Sequence, residues 1–99
     1  MKNLNSSQRS YLKAQAHHLE PVIHIGKNGL TSGTIQSINT ALLGRELIKV
    51  KFREFKDDKN EISETIATET FSLIVGIIGH ILILFKPNLN PEKQEFQLP

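Results

Sequence analysis

The apolar segment from Phe71 to Phe85 limits the possible folds of this chain more than any other feature. It falls short of the roughly 20 residues that a membrane-spanning helix needs. Gly79-His80 divides it into two predicted strands, at about 73–78 and 81–86, which are close enough in sequence to form a hairpin. In the second stretch Ile81 to Leu84 are all apolar, so both of its faces should be buried. The segment therefore predicts a central strand in a sheet that is covered on both sides.

Helical spacing and a β-branched run locate the first elements of the chain. A helix over about 6–18 is predicted from three possible N-caps, Asn5 to Ser7, and from apolar residues that recur until Pro21. The run 21–25 ends at Gly26 and is typical of a brief strand. The chain therefore begins with a helix and a strand.

A second helix, a second strand and a third helix follow. Thr31 or Ser32 can cap the second helix, and Gly44 is expected to end it in a left-handed conformation. The segment 46–53 alternates strictly, which predicts a strand with one apolar and one basic face. Acidic residues between 57 and 61 then favour the start of the third helix.

These elements give the order α-β-α-β-α-β-β in a single α/β domain. We expect a four-stranded mixed sheet packed against helices, with the domain at 1–87 and an irregular tail at 88–99. A chain of 99 residues is long enough for one core but not for two. It has no cysteine and starts with polar residues, so we expect a cytoplasmic protein without disulfides or thiolate chemistry.

The loop Gly26-Lys27-Asn28-Gly29 has the most direct chemical meaning. A helix that starts beside such a loop exposes backbone amides, which together with the helix dipole attract an anion. Glycine at 26 and 29 can take positive φ and let another backbone approach, while Lys27 adds a charge and Asn28 a polar contact. We therefore predict that these four residues hold an RNA phosphate backbone. A tight turn that merely needs glycine is the alternative, because Gly-x-x-Gly is a short and common pattern.

Other phosphate-binding motifs do not fit this loop. The Walker motif needs four residues between its glycines and a lysine after the second one, whereas Lys27 precedes Gly29. The dinucleotide-binding fingerprint has a different glycine spacing. A clamp on single-stranded RNA, as Gly-x-x-Gly loops form in KH domains, fits the spacing, although that analogy concerns the loop and not the fold.

Basic residues on other predicted elements extend this site into a possible patch. The net charge is only +2, so their placement matters more than their number. Each is by itself an ordinary solvent-facing residue. The candidates are Arg9 and Lys13 on the first helix, Lys49, Lys51 and Arg53 on the second strand, and Lys86 after the last strand. The phenylalanines mostly occupy core-like positions, and Phe55 is the one expected to be exposed, but no base-stacking platform is predicted.

Catalytic and metal-binding groups are not indicated. The four histidines lack a persuasive ligand spacing with each other or with carboxylates. No serine lies in a nucleophile elbow. We therefore expect neither an enzyme nor a bound metal or cofactor.

Several segments, taken in order, resemble a known family. They are Leu19–Val22, Ile25–Thr31, Glu46–Lys51, Ile78–Gly79 and Leu82–Pro87. They look like the CRM domain, named for chloroplast RNA splicing and ribosome maturation, in its stand-alone bacterial YhbY form. The resemblance runs from about residue 6 to residue 87. It implies a fold similar to the C-terminal domain of translation initiation factor 3, RNA binding through the loop at Gly26–Gly29, and a role in assembly of the large ribosomal subunit.

Two functional hypotheses follow for this chain. The first is a monomeric RNA-binding protein whose partner is ribosomal RNA of the large-subunit precursor. The alternative is a protein-interaction module that docks on a ribosomal protein or another assembly factor, through the first helix or the acidic start of the third.

Overall fold

The computed structural model describes residues 3–99, so the first two residues of the predicted domain 1–87 lie outside it. The predicted order of elements is confirmed, with their ends displaced by one or two residues. The helices are α1 (Ser6–Ala16), α2 (Ser32–Gly44) and α3 (Lys59–Thr70), and the strands are β1 (Ile23–Ile25), β2 (Leu47–Phe52), β3 (Leu73–Ile78) and β4 (Ile81–Phe85). None of the helices in this part of the chain is both long and apolar enough to cross a membrane.

The four strands form one mixed sheet in the order β1-β2-β4-β3. β1 runs parallel to β2, whereas β4 is antiparallel to both of its neighbours. Leu82 to Phe85 are all buried, because β4 is central and has a packed layer on each face. The central position predicted from its uniformly apolar sequence is therefore confirmed.

Helices cover the sheet on both faces. Ile48, Val50 and Phe52 of β2 belong to the core cluster beneath α2 and α3. Leu47 belongs to a second cluster, formed with Leu12 and other residues of α1 on the opposite face. We call that opposite side the α1 face. Lys49 and Lys51 lie on it as well, because alternate residues of a strand point to opposite sides.

The first helix begins as its sequence predicts but ends earlier. Asn5 is the N-cap and forms a capping box with Gln8, in which Asn5 Oδ1 accepts the Gln8 N–H at 2.8 Å. The helix stops at Ala16 rather than near 18. The Leu19 N–H donates to the Ala16 carbonyl at 3.0 Å, so the chain turns there to enter β1.

The expected left-handed end of α2 is wrong. Gly44 is the last helical residue, and the following Arg45 is extended (φ −140°, ψ 134°) because the chain passes directly into β2. Among the glycines only Gly29 and Gly79 have positive φ. The helix with a left-handed C-terminal residue is α3, where Phe71 has φ 54°.

The tail at 88–99 contains one 3-10 turn, Pro91–Lys93, and is otherwise without helix or strand. Phe96 and Leu98 nevertheless pack against the cluster beneath α1. Glu46, which is only 3% exposed, accepts backbone N–H bonds from Asn88, Glu95 and Phe96. This carboxylate therefore attaches the tail to the start of β2.

Ser63 in α3 offers a stability test of the core. Its hydroxyl is fully buried and has no hydrogen-bond partner among the described residues. We expect Ser63→Ala to raise the free energy of unfolding by about 0.5–1 kcal/mol, since alanine favours helix and removes the unpaired group. Urea unfolding followed by circular dichroism measures this change. As a control, Thr70→Val removes a buried hydroxyl that is bonded to Ile66 and Ser72, and it should destabilise by about 1 kcal/mol.

Candidate nucleic-acid interface

The loop between β1 and α2 is a tight turn, which we call the clamp loop (Gly26–Gly29). The Gly29 N–H donates to the Gly26 carbonyl at 3.0 Å and closes the turn. Gly29 is left-handed with φ 66°, whereas Gly26 is not. Only one of the two glycines therefore needs the conformational freedom that the sequence suggested for both. Lys27 and Asn28 are exposed at the tip of the loop.

The first turn of α2 begins just beyond the clamp loop. Thr31 is the N-cap, and its Oγ1 accepts the Thr34 N–H at 3.1 Å. The amides of Ser32 and Gly33 precede the point at which intrahelical bonds begin. The Gly29 amide is used within the turn, so the donors available to an anion are those of the loop tip and the start of the helix.

A phenylalanine ring packs against the clamp loop. An added Cβ on Gly29 would lie 3.3 Å from Cε2 of Phe55. Phe55 follows β2, is itself left-handed (φ 57°, ψ 34°), and is 42% exposed. The expectation that the Phe55 ring is exposed is therefore confirmed, although Phe71, at 75%, is more exposed.

The strand register brings three connections to one end of the sheet. Ile25 pairs with Phe52, and Lys51 pairs with Ile81. The clamp loop, residues 53–56 and the turn at 79–80 therefore lie together, and we call this the loop end. Glu46 and Lys86 lie at the opposite end, because Leu47 pairs with Phe85.

Two of the predicted basic residues accompany Lys27 near the loop end. Arg53 leaves β2 there, and its Nε donates to Nδ1 of His24 at 2.9 Å. Lys51 is the register partner of His24, so it lies next to this pair on the α1 face. Lys27, Lys51 and Arg53 thus form a basic path from the loop onto the sheet.

Lys13 and Lys49 lie further along the α1 face. They line a cleft of about 140 Å³ with His17, Ile78 and Ile81. The Lys13 stem crosses β3 at Gly76, where an added Cβ would come within 2.7 Å of its Cε. The Lys49 amine donates to the carbonyls of His17 and Leu19 at 3.3 and 3.0 Å, so part of its hydrogen-bonding capacity serves the end of α1.

Arg9 and Lys86 are separated from the other predicted residues. Arg9 lines a groove with Glu64, Thr68 and Leu73, beside the edge strand β3 and α3. Lys86 lies at the end opposite the clamp loop, and its amine donates to the Thr70 carbonyl at 3.0 Å. The structure thus brings neither of them to the loop end.

Three residues at the loop end were not identified from the sequence. Lys56 follows Phe55, and Lys59 begins α3. The Lys59 amine donates to the Gly79 carbonyl and lies 3.4 Å from Nδ1 of His80. Partial desolvation, together with the charges of Lys59 and Lys56, lowers the pKa of His80, while Asp57 opposes this effect. His80 and Lys59 are far apart in sequence, so no local pattern could have joined them.

Acidic groups are present at the same end. Glu54, Asp57 and Asp58 are exposed next to the lysines, so the local charge is mixed. Within residues 3–99 no three histidine, aspartate or glutamate side chains come together as a possible metal site. The basic path from Lys27 to Arg53 and Lys51 therefore borders a stretch of mixed charge.

Comparison with known proteins gives consistent matches over nearly the whole chain. The family model described as the CRS1 / YhbY (CRM) domain matches residues 4–86. An RNA-binding protein of Haemophilus influenzae is 43% identical over 100 residues, which covers 100% of this chain and 98% of the relative. The probable RNA-binding protein YqeI of Bacillus subtilis is 35% identical over 97% of this chain and 99% of its own length. The solution structure of a hypothetical Staphylococcus aureus protein superposes with a TM-score of 0.81, at 36% identity, covering 97% and 99% of the two chains.

Proposed function

We propose that this chain, which belongs to the CRS1 / YhbY (CRM) domain family, binds RNA through its clamp loop and the adjoining basic path. The relatives named as RNA-binding proteins support this proposal. The observation that carries it is the convergence of Lys27, Arg53 and Lys51 around a glycine turn beside a helix N-terminus. Phosphate oxygens accept hydrogen bonds from lysine, arginine and free backbone amides.

We extend the proposal to the RNA target. The resemblance of the chain to CRM domains supports ribosomal RNA of the large-subunit precursor, with the protein acting as a cytoplasmic monomer during assembly. The chemistry at the loop end gives no catalytic role to any residue in this proposal. Binding would hold or shield a segment of RNA rather than change its covalent structure.

The proposal predicts a strong dependence of RNA affinity on salt. If about four to six phosphates are neutralised, log affinity for a single-stranded oligoribonucleotide should fall with log salt at a slope of about −3 to −4. Fluorescence anisotropy titrations over a range of potassium chloride concentrations measure this slope. A flat response would contradict the proposed phosphate contacts.

Single lysine variants test whether the salt dependence of RNA affinity arises at the loop end. Lys27→Ala should make the slope less negative by about 0.7, the contribution of one phosphate contact. Lys93→Ala is the matched control, since Lys93 is an exposed lysine in the tail. Lys86→Ala tests whether Lys86 also contacts RNA. A change for Lys93 equal to that for Lys27 would refute the assignment to the clamp loop.

Protein docking is the second candidate function, and one observation favours it. Leu43 and Leu89 are exposed, and both line a cleft of about 390 Å³ at the end opposite the clamp loop. Exposed apolar surface of this kind often marks a protein contact. Affinity capture from nuclease-treated lysate separates the two functions. A ribosomal protein or assembly factor retained after RNA digestion would support docking, whereas loss of all ribosomal material would support RNA.

A further inference from the structure

Phe55 has an unusual backbone conformation for its residue type. Its φ of 57° is left-handed, which is unfavourable for a bulky residue. The ring is 42% exposed, so burial offsets only part of that cost. Phe71 has the same conformation, so the backbone alone does not single out Phe55. What distinguishes Phe55 is the contact of its ring at the loop end.

The ring contacts the clamp loop at its left-handed glycine. Cε2 and Cζ of Phe55 would lie 3.3 and 3.4 Å from a Cβ added to Gly29. A side chain at position 29 would therefore meet the ring as well as an unfavourable φ of 66°. The contact fixes one part of the ring against the backbone of the loop and leaves another part in solvent. Lys56 follows Phe55 directly and Arg53 precedes it by two residues, with Glu54 between them, so charges of both signs lie nearby.

We propose that Phe55 stacks on an unpaired nucleobase of the RNA segment whose phosphates the clamp loop holds. This inference rests on the proposed function and adds the form of RNA that the site selects. Base–aromatic stacking tolerates any base, because every base has a π face. A base within a duplex is already stacked and paired, so it is not available to the ring. The clamp loop and Phe55 together therefore select single-stranded RNA over duplex RNA.

Phe71 provides a matched control for this residue. It is also a left-handed phenylalanine, with φ 54°, and it is more exposed than Phe55 at 75%. It lies next to Lys86, at the end of the sheet opposite the clamp loop. Replacing it removes an exposed ring of the same kind without touching the loop end.

The test compares Phe55 and Phe71 variants in titrations of a labelled single-stranded oligoribonucleotide and of the same strand annealed to its complement. Phe55→Ala should weaken single-strand binding by about 5- to 150-fold, the usual range for losing one stacked base. Phe55→Leu keeps an apolar contact with Gly29 but lacks a π face, so it should lose a similar amount. Phe55→Tyr should bind like the parent protein, and Phe71→Ala should leave binding unchanged. Duplex affinity should be insensitive to all four changes.

The salt dependence separates stacking from an indirect effect on the loop. Stacking releases no counterions, so the slope for Phe55→Ala should equal that of the parent protein. A shallower slope would mean that the ring only shapes the phosphate site, and it would overturn the stacking proposal. Equal affinity of folded Phe55→Ala and Phe55→Leu with the parent protein would also overturn it. If Lys27→Ala still weakens binding in that case, the proposed function stands. If the parent protein binds no RNA, both fail.

A spectroscopic readout reports the stack directly. Fluorescence of 2-aminopurine placed in the oligoribonucleotide responds to stacking on the base. Scanning the label along the strand should find one position whose signal on binding differs between the parent protein and Phe55→Leu. Circular dichroism of each variant checks that it is folded. Identical signals for both proteins at every position would overturn the proposal.

Discussion

Replacing Lys27 and Asn28 together with aspartate should weaken binding of single-stranded RNA by about 100-fold. The double change removes one positive charge and adds two negative charges at the tip of the clamp loop, next to the phosphates that the loop would hold. At an effective dielectric constant near 20, two unit charges about 4 Å apart interact by about 4 kcal/mol, so a partly screened repulsion of about 2–3 kcal/mol is expected. That value corresponds to roughly 30- to 150-fold in affinity. Anisotropy titrations at low and moderate salt measure it.

The fold should survive this double change. Both side chains are exposed, and neither residue has the positive φ that Gly29 requires. Thermal unfolding of the double variant should therefore match that of the parent protein within a few degrees. As a control, Lys93→Asp with Gln94→Asp makes the same change of charge in the tail. Equal loss of affinity in both double variants would show that net charge, and not the clamp loop, governs binding.

Glu46→Ala should have the largest effect on stability, lowering the free energy of unfolding by about 2–4 kcal/mol. The carboxylate accepts the N–H groups of Asn88 and Glu95 at 2.6 and 2.5 Å, and that of Phe96 at 3.1 Å. Alanine would leave these donors without their acceptor, and hydrogen bonds to charged groups contribute more than neutral ones. Loss of the tail would also expose the apolar surface under Phe96 and Leu98. Urea unfolding followed by circular dichroism measures the change.

Arg45→Ala is the control for this prediction. Arg45 pairs with Glu95 at 2.9 Å, but its side chain is 57% exposed, so the ion pair should contribute no more than about 0.5–1 kcal/mol. Glu46→Gln retains one oxygen acceptor and should fall between the parent protein and Glu46→Ala. RNA affinity of the folded protein should hardly change, because Glu46 lies at the end opposite the clamp loop. A Glu46→Ala protein as stable as the parent protein would disprove the anchoring role.

The sequence predicted most of the architecture because the deciding signals are local. Alternation from Ile48 to Phe52 identified the two faces of β2, and the uniformly apolar β4 identified the central strand. The capping residues and Pro21 located the first helix to within two residues. The left-handed conformation predicted for Gly44 was wrong, because the backbone at a helix end depends on the direction in which the chain continues, here directly into β2.

The same difference between local and long-range signals applies to the predicted site. The motif at Gly26–Gly29 is contiguous, so spacing alone could single it out. Two of the predicted basic residues, Lys49 and Lys86, instead have structural hydrogen-bond partners that residue spacing could not predict. Lys49 donates to carbonyls at the end of α1, and Lys86 donates to the Thr70 carbonyl at the end of α3. Nothing local distinguishes them from Lys51, because their acceptors are remote in sequence or lie on another element.

By itself, the sequence determined the order of elements, the two-sided sheet and the glycine turn before α2, because periodicity and backbone preferences act over a few residues. The tertiary structure decided which basic groups join that turn, and it brought Phe55 onto Gly29 and Lys59 onto the turn at His80. It also tied the tail to Glu46. These contacts join residues separated by some 20 to 50 positions, so they exist only once the strand register and the packing of the helices are fixed.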